Sequence, residues 1–274
     1  HYDPLTQPLH PRELERMLKI LMRHWKFYKL DELSSAMDNP QGCILTFDDG
    51  LQDFYDFAWP VIQKLGIPTT MFVPTASVDR GEPLYNYKLA EMLLFGKGPI
   101  HVGAKSYIPG QPNMKEYLEL VGFVAKNPAG GLSMIEKYLR QWPLPGHLAV
   151  SPMSWDQIKD LEESGVSIGY HSHHHFWMPA MSSEALEHDV IKNEKSLANH
   201  QKIETPFFAF PMGGYDDRLV ELLDHRGWVG LTTGEQMAGK EEKVLARYNV
   251  SDRSGEELHL RLLGFHHRIK TLLR

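Results

Sequence analysis

Cys43-Ile44-Leu45-Thr46-Phe47-Asp48-Asp49-Gly50 sets a short apolar run directly against two adjacent carboxylates and a glycine. An apolar run of this length, bounded by a turn signal, predicts a buried strand from Gly42 to Phe47. Working outward, similar runs recur at Pro68–Val73, Val166–Tyr170, Pro206–Phe210, Trp228–Leu231 and Val244–Val250. Amphipathic stretches separate them, predicting helices at Pro11–His24, Leu51–Leu65, Trp155–Ser164, Ser183–His200, Tyr215–Arg226 and Gly255–Leu273. Strands alternating with helices define an α/β protein with a mostly parallel sheet or barrel.

The stretch from Glu82 to about Pro152 breaks this rhythm. It mixes helix-like pieces with an alternating segment at Ile100–Ile108 and several prolines and glycines. It reads as an insertion, around residues 82–152 of a single domain spanning 1–274, and insertions of this kind emerge beside the catalytic face and shape substrate selection.

Bulk properties narrow the function classes. The 274 residues are 42% hydrophobic with a formal net charge of -6, and the scattered Lys and Arg leave no electrostatic footprint for nucleic acid. No run of about 18 apolar residues is present, so no transmembrane segment is expected. The single Cys43 cannot form an internal disulfide and reads as a small core residue. With no visible signal segment the expectation leans to the cytoplasm, while the missing initiating Met leaves room for an upstream segment. The C-terminal stretch from Leu258 to Arg274 has helical apolar spacing and a basic face; a packed terminal helix is the simpler expectation, a membrane-surface helix the other.

Three predicted strands end in chemically capable residues: TFDDG at 46–50, His171-Ser172-His173-His174-His175, and Phe210-Pro211-Met212-Gly213-Gly214-Tyr215. In parallel barrels the C-terminal strand ends converge, so these distant segments can share one site. Two neutral imidazoles and one carboxylate leave positions open on a divalent ion, the composition of a catalytic rather than a structural site. His171 and His175 have a spacing that a strand-to-loop turn returns to one ion, although a His-rich loop can also be exposed and inert. Adjacent buried carboxylates need a neutralising cation. If Asp49 is the ligand, Asp48 stands beside the bound water and can take its proton. The competing reading of Asp48-Asp49-Gly50 is a turn that caps the following helix.

TFDDG, HSHHH as a match to His-Ser/Thr-x-x-His, and FFAFPMGGYDD together resemble the polysaccharide deacetylases with the NodB homology domain, carbohydrate esterase family four. TTMFVPT, MSWDQIKDLEESGVSIGYHS and ARYNV follow in familiar order. The resemblance implies an irregular (β/α) barrel that removes acetyl groups from N-acetylated amino sugars of a polysaccharide or glycan precursor. It implies Asp48 as general base, Asp49, His171 and His175 as metal ligands, and the backbone N–H at Met212 as oxyanion donor. Ser172 and Pro211 support these loops, whereas His173 and His174 fall on variable positions. The ligand set points to Zn2+ and leaves Co2+, Ni2+ or Fe2+ open.

Two departures stand out. Relatives pair the base with an Arg before the Pro, but Ala209 and Phe210 precede Pro211 here; Arg247 in the late strand either supplies that charge or is a surface residue. Relatives also use a late Leu-x-x-His as general acid, and His259 in ELHLRLL is not a clean match, so Asp48 or another His returns the proton. Tyr85, Tyr87, Phe176, Trp177 and Tyr215 fall in predicted loops and could line a sugar groove, Trp177 foremost. The competing functions are a non-catalytic glycan-binding module, an amidohydrolase on a non-sugar amide and, more distantly, a non-haem iron oxygenase.

Overall fold

The computed structural model describes residues 9–110, 114–143, 151–201, 205–234, 243–250 and 262. In chain order the strands are β1 (Lys26–Phe27), β2 (Gly42–Cys43), β3 (Leu45–Phe47), β4 (Thr69–Val73), β5 (Ile100–Val102), β6 (Lys105–Tyr107), β7 (Ser167–Tyr170), β8 (Phe207–Ala209), β9 (Val229–Thr233) and β10 (Val244–Arg247). The helices are α1 (Pro11–Leu21), α2 (Leu33–Asp38), α3 (Trp59–Leu65), α4 (Thr75–Arg80), α5 (Tyr85–Phe95), α6 (Met114–Lys126), α7 (Pro128–Gln141), α8 (Trp155–Glu163), α9 (Ser183–Gln201) and α10 (Asp217–Asp224).

Six strands form one parallel sheet in the order β10-β9-β8-β7-β4-β3. Spatial order follows chain order, so each new strand is laid on the same side of the last. The sheet is therefore wound in one direction and curls into a half-barrel, unlike a doubly wound sheet that reverses at a switch point. Register pairs Val73 with Tyr170, Tyr170 with Phe208, Ala209 with Leu231 and Thr233 with Arg247. The strand ends are thereby level, and the residues just beyond them share one rim.

The inner face is small and apolar: Phe72, Phe207, Ala209 and Leu231 pack with Leu30, and Leu33 and Ile44 lie against them. Gly169 is required here, because a Cβ at that position would lie 2.3 Å from the Phe72 ring. Helices cover the outer face, where Ile62, Met71, Ile168, Val190, Phe208 and Leu219 belong to the main core.

Several expected boundaries shift. The Gly42–Phe47 strand is split at Ile44 between two sheets, β2 pairing with β1 and β3 with β4. The helix expected from Leu51 opens as a π-helical turn, Phe54–Ala58, before α3. The last strand ends at Arg247, not Val250. The described part of Glu82–Pro152 is largely helical, and its alternating segment forms the antiparallel hairpin β5–β6. Tyr85, Leu89, Leu93, Leu120 and Ile135 from this stretch join the main core, so it packs as part of the same body. The helix expected at Gly255–Leu273 lies outside the described residues apart from residue 262, and so does His259.

Candidate metal centre and carboxylate pair

The rim beyond β3 carries Asp48 and Asp49, and the rim beyond β7 carries the histidine loop. Asp49 Oδ1 lies 3.2 Å from His171 Nε2 and 3.0 Å from His175 Nε2. One ligand atom from each of Asp49, His171 and His175 falls within 4.8 Å of the others, and all three residues are buried. His171 Nδ1–H donates to the Ala209 carbonyl at 2.7 Å, which fixes the tautomer and leaves the Nε2 lone pair facing Asp49. This donor set, one carboxylate and two imidazoles with converging lone pairs, fits a divalent cation. Burial opposes ionisation of Asp49, but His175 and His171 beside it hold its carboxyl well below the usual range. A buried anion in that position needs positive charge, and a cation among the three ligand atoms meets the same need.

Asp48 is neutralised differently. Arg247 at the end of β10 donates from Nη1 to Asp48 Oδ1 and from Nη2 to Asp48 Oδ2, both at 2.8 Å, and from Nη1 to Thr46 Oγ1 at 3.1 Å. The Asp48 side chain is 5% exposed. Burial pushes its carboxyl up, yet the Arg247 guanidinium, with His171, outweighs burial and the net shift is downward. The guanidinium also lies over the Phe72 ring at 5.4 Å, a cation–π contact. β3 and β10 are opposite edges of the sheet, so this pair bridges the open side of the half-barrel.

The histidine loop is held almost entirely by side chains. His175 N–H donates to Ser172 Oγ at 2.9 Å. Asp189 accepts the N–H groups of His173 and His174 and the Nδ1 of His174 at 2.9, 3.3 and 2.5 Å. One turn along α9, Asn193 Oδ1 accepts His171 N–H at 3.0 Å while its Nδ2 donates to the Val73 carbonyl at 3.0 Å and to Thr75 Oγ1 at 3.2 Å. Asn193 thus ties the ends of β4 and β7 together. His175 Nδ1 is buried with no partner among the described residues, so its ring is oriented through Nε2 and an edge contact with His171 at 4.9 Å.

Among the described residues, the non-glycine positions with positive φ are Asp49 (75°), Ser172 (62°), His175 (61°) and Met212 (54°). Left-handed backbone at a residue with a side chain costs of order 1–3 kcal/mol and persists where the surroundings over-determine it. Here those positions coincide with the residues singled out from the sequence. Met212 sits in the 3₁₀ turn Pro211–Gly213, anchored where Thr232 Oγ1 donates to the Gly213 carbonyl at 2.7 Å.

Of the aromatic candidates, Trp177 and Tyr215 are 39% and 44% exposed. Trp177 lies against Gly214, where a Cβ would come within 2.2 Å of its indole nitrogen, and Tyr215 stacks on Phe210 at 4.9 Å. Tyr85, Tyr87 and Phe176 do not fit the groove expectation. The first two are in α5, not a loop, and all three are buried: α5 turns Tyr85 and Tyr87 inward, and Phe176 packs against the Tyr85 ring at 5.2 Å.

Asp189 and Asn193 were not singled out from the sequence. Their signal is a polar i, i+4 pair placed on the apolar stripe Leu186, Val190 and Leu197 of α9, where buried polar groups require partners.

A singly wound α/β half-barrel with a carboxylate and two imidazoles converging at the strand ends defines a class of proteins. A family model of the polysaccharide deacetylases matches residues 37–229, and the chain belongs to that family. YxkH of Bacillus subtilis (strain 168), whose name places it among the polysaccharide deacetylases, is 19% identical over 210 residues, covering 76% of this chain and 50% of that one. The chain thus spans about half the length of this curated relative. In fold it is similar to the Streptococcus pyogenes deacetylase PplD, solved in complex with acetate, with a TM-score of 0.62 at 17% identity over 92% of this chain and 86% of that one. IcaB from Ammonifex degensii gives a TM-score of 0.59 at 19% identity over 94% and 92%. No helix among the described residues is long and apolar enough to cross a membrane.

Proposed function

We propose that the chain is a metal-dependent hydrolase that removes acetyl groups from N-acetylated amino sugars of a glycan. The observation that carries the proposal is the convergence of Asp48, Asp49, His171, His175 and Arg247 from separate strand ends, inside a chain of this family. Asp49, His171 and His175 would hold the ion, with Zn2+ favoured by the mixed nitrogen and oxygen set. When bound, it supplies Lewis acidity toward the acetyl carbonyl and toward the attacking water.

Asp48 is the general base. Its carboxylate is kept ionised and fixed in orientation by the two-point contact with Arg247, and each oxygen keeps a further lone pair for a water proton. The amide N–H of Met212, carried on its left-handed turn, is the assigned oxyanion donor. Water adds to the acetyl carbon, the C–N bond breaks, and acetate and the free amine leave; Asp48 returns its proton to the amine nitrogen. Trp177 and Tyr215, exposed beside Gly214, offer flat apolar faces to the sugar ring.

Acetate release from an acetylated chitooligosaccharide, set against simple acetamides and cyclic non-sugar amides, tests the substrate class. Faster turnover of the oligosaccharide is expected. Preference for a non-sugar amide would transfer the activity to another amidohydrolase class, and binding of the oligosaccharide by metal-loaded protein without any turnover would make the chain a glycan-binding module.

A further inference from the structure

Tyr87 is 1% exposed and sits in the first turns of α5, within the stretch that interrupts the strand–helix rhythm. Its O–H donates to Asp49 Oδ2 at 2.6 Å, while Asp49 Oδ1 faces the Nε2 atoms of both His171 and His175. The two oxygens of the carboxylate therefore have separate partners. A hydroxyl on an anionic oxygen at this distance is a charge-assisted bond, stronger than its neutral counterpart. A carboxylate oxygen only accepts, so the short contact requires the phenol O–H to be the donor.

Tyr87 packs with Leu84 from its own segment and with Leu51, which follows Gly50 directly. Leu51 is in turn bridged to Pro152 at the far end of the inserted stretch. Asp49 is left-handed at φ 75°, and a strained ligand on an edge loop needs an external hold to keep one orientation.

We propose that Tyr87 is a positioning residue for the metal centre: its hydroxyl occupies Asp49 Oδ2 and turns the carboxylate so that Oδ1 alone is presented with the two imidazoles. The proposal rests on the assignment of Asp49, His171 and His175 as metal ligands. It makes α5 part of the metal site, in addition to any effect of the inserted stretch on substrate access. Partners that orient ligands in this way commonly account for 10–100-fold in metal affinity.

The test is Co2+ binding, measured by chelator competition on metal-free wild type, Tyr87→Phe and Leu84→Ala, with the visible spectrum of each loaded protein and the melting temperature of each metal-free one. Tyr87→Phe is expected to fold and to bind Co2+ about 10–100-fold more weakly. Its d–d bands should weaken as the freed second oxygen raises the coordination number. Leu84→Ala, which disturbs the packing but not the hydroxyl, should lower the melting temperature and leave the affinity of the folded protein within about twofold. Wild-type affinity and spectrum in Tyr87→Phe, or an equal loss in Leu84→Ala, would overturn the proposal. Wild type that takes up no Co2+ would overturn the metal assignment itself, and this proposal with it.

Discussion

Asp48 and Asp49 are neighbours in sequence, yet each is stabilised by a different set of groups: the guanidinium of Arg247 for Asp48, the imidazoles and Tyr87 for Asp49. Two buried carboxylates side by side are tolerable because Arg247 neutralises Asp48, while a cation among the three ligand atoms would neutralise Asp49. Removing one partner of the buried pair in Arg247→Ala should cost about 3–5 kcal/mol of stability. Because Arg247 is not among the three candidate ligands, the variant should keep its metal content while acetate release falls at least about 100-fold, as for a general base that loses its orientation; unchanged turnover would make Arg247 a structural brace only. A second expectation concerns Cys43, whose thiol burial pushes up to about 11. The thiolate is the reactive form, so at pH 8 only roughly one thiol in a thousand is ionised and alkylation by iodoacetamide should be slow until the protein is denatured. The raised value also has a linkage sign: the folded state keeps this proton after the unfolded chain, near pH 8.5, loses it. Its contribution to stability is therefore full below about pH 8.5 and lost as pH rises toward 11, which denaturant titrations at pH 7 and 10 can register.

At the scale of elements, α9 does more than cover the sheet. Its apolar stripe docks on the core, and Asp189 and Asn193 one turn apart project from that stripe to satisfy the amides of the histidine loop. Either residue changed to Ala strands buried N–H groups, at about 1–3 kcal/mol. Metal affinity should fall with the loop's rigidity, so Asn193→Ala is expected to lower the melting temperature and weaken metal binding together. A stability loss with unchanged affinity would reduce α9 to scaffolding. The helix itself was legible from its periodicity between Ser183 and His200, and it was observed at Ser183–Gln201. The clamp was hidden because a lone Asp or Asn in a helix looks like solvated surface unless its face is known. Tyr85 and Tyr87 were misplaced for a related reason: proline and glycine around residues 81–83 suggested a loop, and tertiary packing made a helix immediately after them.

Across the whole molecule, the order of strands along the chain set the half-barrel, and the strand-end motifs marked its working rim before any contact was known. Legibility failed where neighbours in space rather than in sequence decide the outcome: the split of Gly42–Phe47 between two sheets and the π-helical opening of the next helix; the contact of Arg247 with Asp48 was one of the two readings open for Arg247. An ion bound by Asp49, His171 and His175 would tie the ends of β3 and β7 together and stabilise the folded chain by mass action, about 4 kcal/mol at a thousandfold excess over the dissociation constant. Chelation should accordingly lower the melting temperature by roughly ten degrees for a chain of this size, reversibly on adding Zn2+; an unmoved transition would place no ion in the folded state. The central claim, that Asp49 with the two histidines holds an ion while Asp48 performs the proton transfer, meets its most direct test in one paired measurement: bound metal and acetate release from an acetylated chitooligosaccharide, for the intact protein and for Asp48→Asn. Equal metal is expected in both, with acetate release only from the intact protein. Intact protein that holds no metal, or an Asp48→Asn variant that turns over as the intact protein does, would contradict it.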